Sequence, residues 1–150
     1  MAPLTQGLET GVPVIDAAND GLRFLLGRVF EPGVECRRGP GGKGDCTYQC
    51  CSRIEAILRY IGRNFAKQEQ VMTEAAYPEA GRHGDDHASL VDRLTVMLRA
   101  EVCAEREGNR VHDLIAHWMN DHAKRCDTPF GRWAVTRRVL GRISDPPLIR

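Results

Sequence analysis

Three histidines and one aspartate are the residues of this chain whose types and spacing best fit a metal site. His83 and His87 are four residues apart, so on a helix both imidazoles project from one face toward a common point. Such a pair also occurs on solvated faces, and a lone core histidine such as His122 is more often a packing residue than a ligand. With Asp127, however, the three histidines form a set that suits zinc or ferrous iron.

Helical periodicity dominates the sequence and predicts the elements that must position these residues. We expect four long amphipathic helices, at about residues 15–29, from 46 or 50 to 76, 80–105 and 109–126, and a short terminal helix at about 131–143. This pattern favours an all-α fold, an antiparallel up-down four-helix bundle. In that order the end of the fourth helix, with His122 and Asp127, lies beside the start of the third.

Length and composition indicate one domain without a strong electrostatic field. The chain has 150 residues, with 21 Lys and Arg against 20 Asp and Glu. We therefore expect one domain over residues 1–150, with the bundle at about 13–127, an inserted loop at about 32–46 and an extension at 128–150. Neither a nucleic-acid nor a membrane partner is expected. The N-terminus lacks the pattern of a signal peptide, which favours a cytoplasmic protein.

Several short motifs together match a known family. In chain order they are the turn Gly11-Val12-Pro13 followed by Ile15-Asp16, the pair Asn64-Phe65 followed by Met72 and Tyr77-Pro78, the histidines His83 and His87, and finally Trp118, Asn120, His122 and Asp127. Over about residues 10–127 the chain thus resembles a bacterial hemerythrin-like (HHE cation-binding) domain.

The resemblance implies a site built for two irons, held by five histidines and two bridging carboxylates. His83, His87 and His122 occupy the positions of the ligands of one iron, and Asp127 is one of the bridging carboxylates. The other three positions are amides, namely Asn19, Asn64 and Gln68. Glu69 adjoins Gln68, but one residue is about 100° of helix rotation, so it is not expected to substitute.

These substitutions change the expected function. Neutral amides are poor ligands for a dication, so we expect one metal ion per chain, iron or zinc, and not a di-iron centre. Oxygen carriage in the family needs two irons, so the expected role is a sensor or binding protein for a diatomic gas or a redox signal. No catalytic motif indicates an enzyme. A metal-free bundle acting as an interaction or signalling module, and residual di-iron oxygen binding, remain alternatives.

Five of the six cysteines form a second candidate site. Cys36, Cys46, Cys50 and Cys51 fall in or beside a glycine-rich loop, and Cys103 is expected at the same end of the bundle. They could form a redox-responsive disulfide, bind a second metal ion, or remain free thiols. Cys126 is expected at the other end, next to the metal ligands.

The remaining polar residues of the helices have plainer interpretations. His112 and His117 fall off the inward face of the fourth helix and are predicted to be solvated. Glu69 is predicted to lie on the surface. The basic, amphipathic segment at 131–143 is expected to dock on the bundle or on a second subunit, and the oligomeric state stays open.

Overall fold

The described part of the chain is helical throughout. The computed structural model describes residues 9–30 and 51–137, of which 82% are helical, with no strand among them. The helices are α1 (Pro13–Val29), α2 (Ser52–Glu74), α3 (Ala80–Arg99), α4 (Gly108–His122), a π-helical segment (Ala123–Asp127) and α5 (Thr128–Thr136). The predicted all-α class and the four long helices are confirmed. Within the described ranges, no helix combines the length and apolar character needed to span a bilayer.

The four long helices share one hydrophobic core, as their apolar stripes predict. The aliphatic side chains of this core that are at most 3% exposed include Leu22, Leu26, Ile54, Ile57, Ile61, Leu90, Leu94, Val111 and Ile115. Helix α2 packs against both α1 and α3, and α3 contacts α4. A smaller cluster beneath α5 joins the start of α1 to the end of α2, and it contains Val12, Ile15, Met72, Tyr77, Phe130 and Ala134.

A polar turn fixes the start of α1. The Asp16 carboxylate accepts hydrogen bonds from the backbone N–H of Thr10, at 2.8 Å, and of Gly11, at 3.1 Å. Gly11 has φ +77°, a conformation that glycine adopts without a steric penalty. Pro13 occupies the first turn, where its missing N–H is not needed. The helix therefore begins at Pro13, two residues before the predicted start.

Helix α3 ends at Arg99, earlier than the predicted end near residue 105. The backbone N–H of Val102 donates to the Met97 carbonyl at 3.1 Å, and that of Glu101 donates to the Leu98 carbonyl at 3.2 Å. These two bonds form a Schellman motif with Glu101 in the left-handed region, at φ 59°. Because the residue in this conformation is glutamate and not glycine, the sequence carried no stop signal. Burial of Val102 offsets the backbone strain.

The last two helices are continuous through the π-helical segment. We expected α4 to reach about residue 126 and a separate helix to begin near residue 131, but the chain stays helical from residue 108 to residue 136. Pro129 lies within the first turn of α5. The predicted end of this helix near residue 143, the basic residues beyond 137, the loop at 32–46 and the tail lie outside the described residues.

Candidate metal centre

Four buried side chains converge where α3, α4 and the π-helical segment meet. His83 and His87 lie on α3, His122 ends α4 and Asp127 ends the π-helical segment, and each is only 1 to 2% exposed. The ligand atoms of the three histidines lie within 4.8 Å of one another. Asp127 Oδ1 lies 3.2 Å from His83 Nε2 and 3.1 Å from His122 Nε2. The structure therefore brings the three predicted histidine ligands together and places Asp127 in contact with two of them, His83 and His122.

The π-helical segment accounts for the position of Asp127. His122 and Asp127 are five residues apart, and in an α-helix five residues would leave them about 140° apart around the axis. A π-helix bonds residue i to residue i+5, so it places residues five apart on nearly the same face. The wider turn at Ala123–Asp127 thus directs the carboxylate toward the histidines.

The four converging atoms lack aligned hydrogen-bond partners in the described structure. They are Nε2 of His83, of His87 and of His122, and Oδ1 of Asp127. A buried polar atom without a partner costs about 1–3 kcal/mol. A tetrahedral ion with ligand bonds of about 2.0–2.2 Å would hold its nitrogen and oxygen ligands about 3.4 Å apart. The observed N–O separations of 3.1 and 3.2 Å are close to that spacing, so the donor set fits a metal ion.

Two further carboxylates contact the outer nitrogens of the histidine rings. Glu69 Oε1 lies 2.9 Å from His87 Nδ1, and Asp86 Oδ2 lies 2.5 Å from His122 Nδ1. Carboxylates in this position fix the tautomer and the ring orientation of a metal-binding histidine. Arg125 donates to Asp86 Oδ1 at 3.0 Å and so holds this carboxylate in place.

Sequence reasoning missed both of these carboxylates. Asp86 is three residues after His83 on α3, so helical spacing could have identified it as a neighbour of the site. Glu69 was predicted as a surface residue, yet it is only partly exposed and reaches a buried ring. Since Glu69 and His87 lie on different helices, only the packing of α2 against α3 shows their contact.

Two aromatic side chains stack on the histidine rings. Phe65 stacks on His87 with ring centroids 3.9 Å apart and planes 2° apart. Trp118 stacks on His122 at 4.3 Å and 13°. Such packing restricts ring rotation, so these two imidazoles are held in place before any ion binds.

The three amides replace the other predicted ligands in different ways. Asn19 donates from Nδ2 to Asp127 Oδ2 at 3.0 Å. Asn64 donates to the Tyr60 carbonyl of its own helix at 2.8 Å. Gln68 is buried, with 2% exposure. Asn19 thus orients the Asp127 carboxylate, whereas Asn64 bonds the backbone of its own helix.

The buried imidazoles differ in proton affinity. Burial and the neighbouring rings of His122 and His83 lower the pKa of His87 to about 2, which keeps its lone pair available. Burial also disfavours the charged form of His122, but contacts with Asp127, Cys126 and Asp86 outweigh it and raise its pKa to about 10. Burial opposes ionisation of Asp127 as well, yet His122, His83 and Asn19 hold its pKa well below the usual range. A bound cation would take the place of the His122 proton.

Of the cysteines predicted as a second site, the structure describes two. Cys51 is partly buried just before α2, and Cys103 is buried in the turn after α3. Cys36, Cys46 and Cys50 lie outside the described residues. Cys126 is buried at the metal end, as expected, and its Sγ lies 3.9 Å from Asp86 Oδ2.

One of the two histidines predicted to be solvated is buried. His117 is exposed, as expected, but His112 is only 6% exposed and packs edge-on against Phe30, with centroids 5.6 Å apart. The buried face of α4 is wider than the single stripe we predicted, since Ala116 and Met119 are buried as well.

Comparison with protein-family profiles, with curated proteins and with solved structures finds no match for this chain.

Proposed function

We propose that this protein is a hemerythrin-like bundle that binds one metal ion, iron or zinc, through His83, His87, His122 and Asp127. We further propose that it acts as a sensor or binding protein for a diatomic gas or a redox signal. The observation that carries the proposal is the convergence of three buried histidine nitrogens, with Asp127 Oδ1 within 3.2 Å of two of them. An ion there would supply Lewis acidity and, in the case of iron, one-electron redox chemistry.

Contacts near the helix ends support an antiparallel up-down order for the proposed bundle. Glu69, near the end of α2, contacts His87, near the start of α3. His122, at the end of α4, lies beside His83, at the start of α3. Asn19, in the first half of α1, contacts Asp127 at the far end of the π-helical segment. This order matches the topology implied by the family motifs.

The amide positions support a single ion. Asn19 directs its N–H₂ group at Asp127, and Asn64 uses its own at a backbone carbonyl. A neutral amide can bind a metal ion only through its carbonyl oxygen, which is a weaker ligand for iron or zinc than an imidazole nitrogen. Three imidazoles remain on one side of the site and none on the other, so one ion accounts for the retained ligands.

Burial of the site supports a small ligand. The four proposed ligands are 1 to 2% exposed, and Phe65 and Trp118 cover the histidine rings. A diatomic molecule or an electron can reach such a site, whereas a larger substrate cannot. Iron accepts more than four ligands, so the protein would leave positions free for a diatomic molecule.

Metal content per chain tests the proposal directly. Untagged protein purified anaerobically is analysed by elemental mass spectrometry, alongside His122→Ala and Asn19→Ala. We expect about one ion per chain, its loss in His122→Ala, and an unchanged stoichiometry in Asn19→Ala at saturating metal. Because Asn19 only orients Asp127, its removal should weaken affinity by about 10- to 100-fold.

The matched control is His117→Ala, which removes an exposed histidine from the same helix. Protein without metal, even after reconstitution, would favour the metal-free interaction module. Two irons per chain would favour residual di-iron oxygen binding. Either result would overturn the single-ion proposal.

A further inference from the structure

The outer side of His122 carries a second set of ligand atoms that the proposed centre does not use. The carboxylate of Asp86, the thiol of Cys126 and the imidazole of His122 offer ligand atoms within 4.8 Å of one another. His122 Nε2 faces Asp127, whereas His122 Nδ1 faces Asp86. The two nitrogens of one ring thus face two separate groups of ligands.

We propose that Asp86, His122 and Cys126 form a second, outer binding site for a thiophilic dication such as Zn²⁺. The combination of thiolate, imidazole and carboxylate is one that zinc accepts. This outer site shares His122 with the proposed buried centre, but its other two ligands are different residues.

The observed distances are near those that coordination requires. A tetrahedral zinc would hold its sulfur and oxygen ligands about 3.6 Å apart, and its nitrogen and oxygen ligands about 3.4 Å apart. Cys126 Sγ and Asp86 Oδ2 are 3.9 Å apart, and Asp86 Oδ2 and His122 Nδ1 are 2.5 Å apart. Binding therefore requires the Asp86 carboxylate to move away from the imidazole by about 1 Å. Its partly exposed side chain has room to do so.

The charges around the outer site also suit a cation. Arg125 binds Asp86 through Oδ1, which leaves Oδ2 for the ion, and Arg125 is itself paired with Asp121 at 2.7 Å. When both sites are occupied, His122 bridges the two ions as an imidazolate. Binding at the outer site therefore releases to solvent the remaining ring proton at His122 Nδ1 and the proton of the Cys126 thiol. The Cys126 thiolate and the Asp86 carboxylate, with part of the imidazolate charge, balance the dication.

An open groove borders the outer site at Asp86. It has a volume of about 620 Å³, and Asp86 and Arg125 lie in its wall together with residues of α3 and α4 such as Ser89 and Trp118. Of the three proposed ligands, Asp86 lines this groove, so an ion bound to Asp86 would be reached by solvent from that side. Three protein ligands leave the fourth tetrahedral position for water or for a small ligand, as in an open zinc site.

Titration with Co²⁺ distinguishes the two sites. A thiolate ligand gives Co²⁺ an intense charge-transfer band in the near ultraviolet, whereas imidazole and carboxylate ligands give only weaker d–d bands. The full chain is used with Cys36→Ser, Cys46→Ser and Cys50→Ser, so that the loop thiols contribute nothing. At an excess of Co²⁺ over the metal that the purified protein carries, we expect two Co²⁺ per chain, one in the buried centre and one in the weaker outer site. We expect Cys126→Ala to remove the charge-transfer band and the outer ion alone.

Three variants complete the design. Cys51→Ala is the matched control and should leave the band unchanged. His83→Ala should remove the buried ion and leave the band, so failure of the buried centre and failure of the outer site give different results. Asp86→Asn should weaken Co²⁺ binding at the outer site at least about 10-fold. Circular dichroism confirms that each variant is folded.

Two results would overturn the outer site. One is the absence of a charge-transfer band in the parent protein. The other is a band that survives Cys126→Ala, since the sulfur ligand would then be another residue.

Discussion

At the scale of single residues, Asp127 connects the cluster of three histidines to Asn19. Its Oδ1 lies between His83 and His122, and its Oδ2 accepts the hydrogen bond of Asn19. The asparagine thus supports the position of a ligand in a place where the family resemblance implies a histidine. His122 is the second shared residue, because its two ring nitrogens face Asp127 and Asp86.

Proton release provides a test at this scale. The pKa of His122 is raised to about 10, above the ordinary 6.5, so metal-free protein carries this proton at neutral pH. We expect the affinity for Zn²⁺ to rise about tenfold per pH unit between about pH 6 and pH 8, because binding displaces that proton. Titration calorimetry in buffers of different ionisation enthalpy measures the proton released.

The same raised pKa fixes the sign of a stability effect. A group whose pKa is higher in the folded state stabilises the fold below its unfolded pKa, here about 6.5, and loses that contribution as pH rises through about 10. Metal-free protein should therefore lose stability over that interval. For the calorimetric test, a Zn²⁺ affinity that stays the same between about pH 6 and pH 8 would contradict a charged His122 in the metal-free protein.

At the scale of elements, α5 packs closely against the turn before α1, at the end of the molecule that carries Asp127. Gly131 packs directly on Thr10, and a methyl group at position 131 would overlap the Thr10 carbonyl oxygen. Phe130 and Ala134 of the same helix are fully buried against Tyr77 and Ile15. Since α5 follows Asp127 without a break, this contact also anchors the π-helical segment.

Substitution at Gly131 tests this anchoring. We expect Gly131→Ala to lower the free energy of unfolding by about 1–3 kcal/mol, because the backbone of Thr10 must shift to accommodate the methyl group. The matched control is Gly62→Ala on α2, where no atom lies within 4 Å of the added carbon. That change should raise the free energy of unfolding by about 0.5–1 kcal/mol. Urea denaturation measures both, and equal effects would contradict the close contact.

At the scale of the whole molecule, the proposed metal site joins three parts of the chain. The ligands come from α3, from the end of α4 and from the π-helical segment, and α1 and α2 contribute the supporting residues Asn19, Glu69 and Phe65. An ion bound at this point holds the ends of these helices together. Metal binding should therefore stabilise the folded chain as a unit.

Thermal unfolding measures this linkage. A ligand at about 100 times its Kd stabilises the folded state by about 2.7 kcal/mol. For a domain of this size that corresponds to a rise in Tm of about 10 °C. We expect Zn²⁺ to produce this shift in the parent protein and in His117→Ala, and a chelator to reverse it. His122→Ala should show no shift, and a rise in that variant would place the stabilising ion elsewhere.

The helices and their buried faces could be predicted from the sequence, because both depend on the spacing of apolar residues along the chain. The stripe Ile54, Ile57, Ile61 and Phe65 is buried as its periodicity predicts. The same argument identified His83 and His87 as partners on one face. The early end of α3 at Arg99 did not follow, because Glu101 adopts a left-handed conformation without the usual glycine.

What the sequence alone determined is the helical class, the inward faces and the four ligand candidates, since side chains three or four residues apart share a helix face whatever else the chain does. Only the tertiary structure decided that Glu69 meets His87, that Asp86 meets His122, and that the chain winds as a π-helix up to Asp127. These features depend on the rotation and register of one helix against another. Packing of the whole core sets both, and no local spacing encodes them.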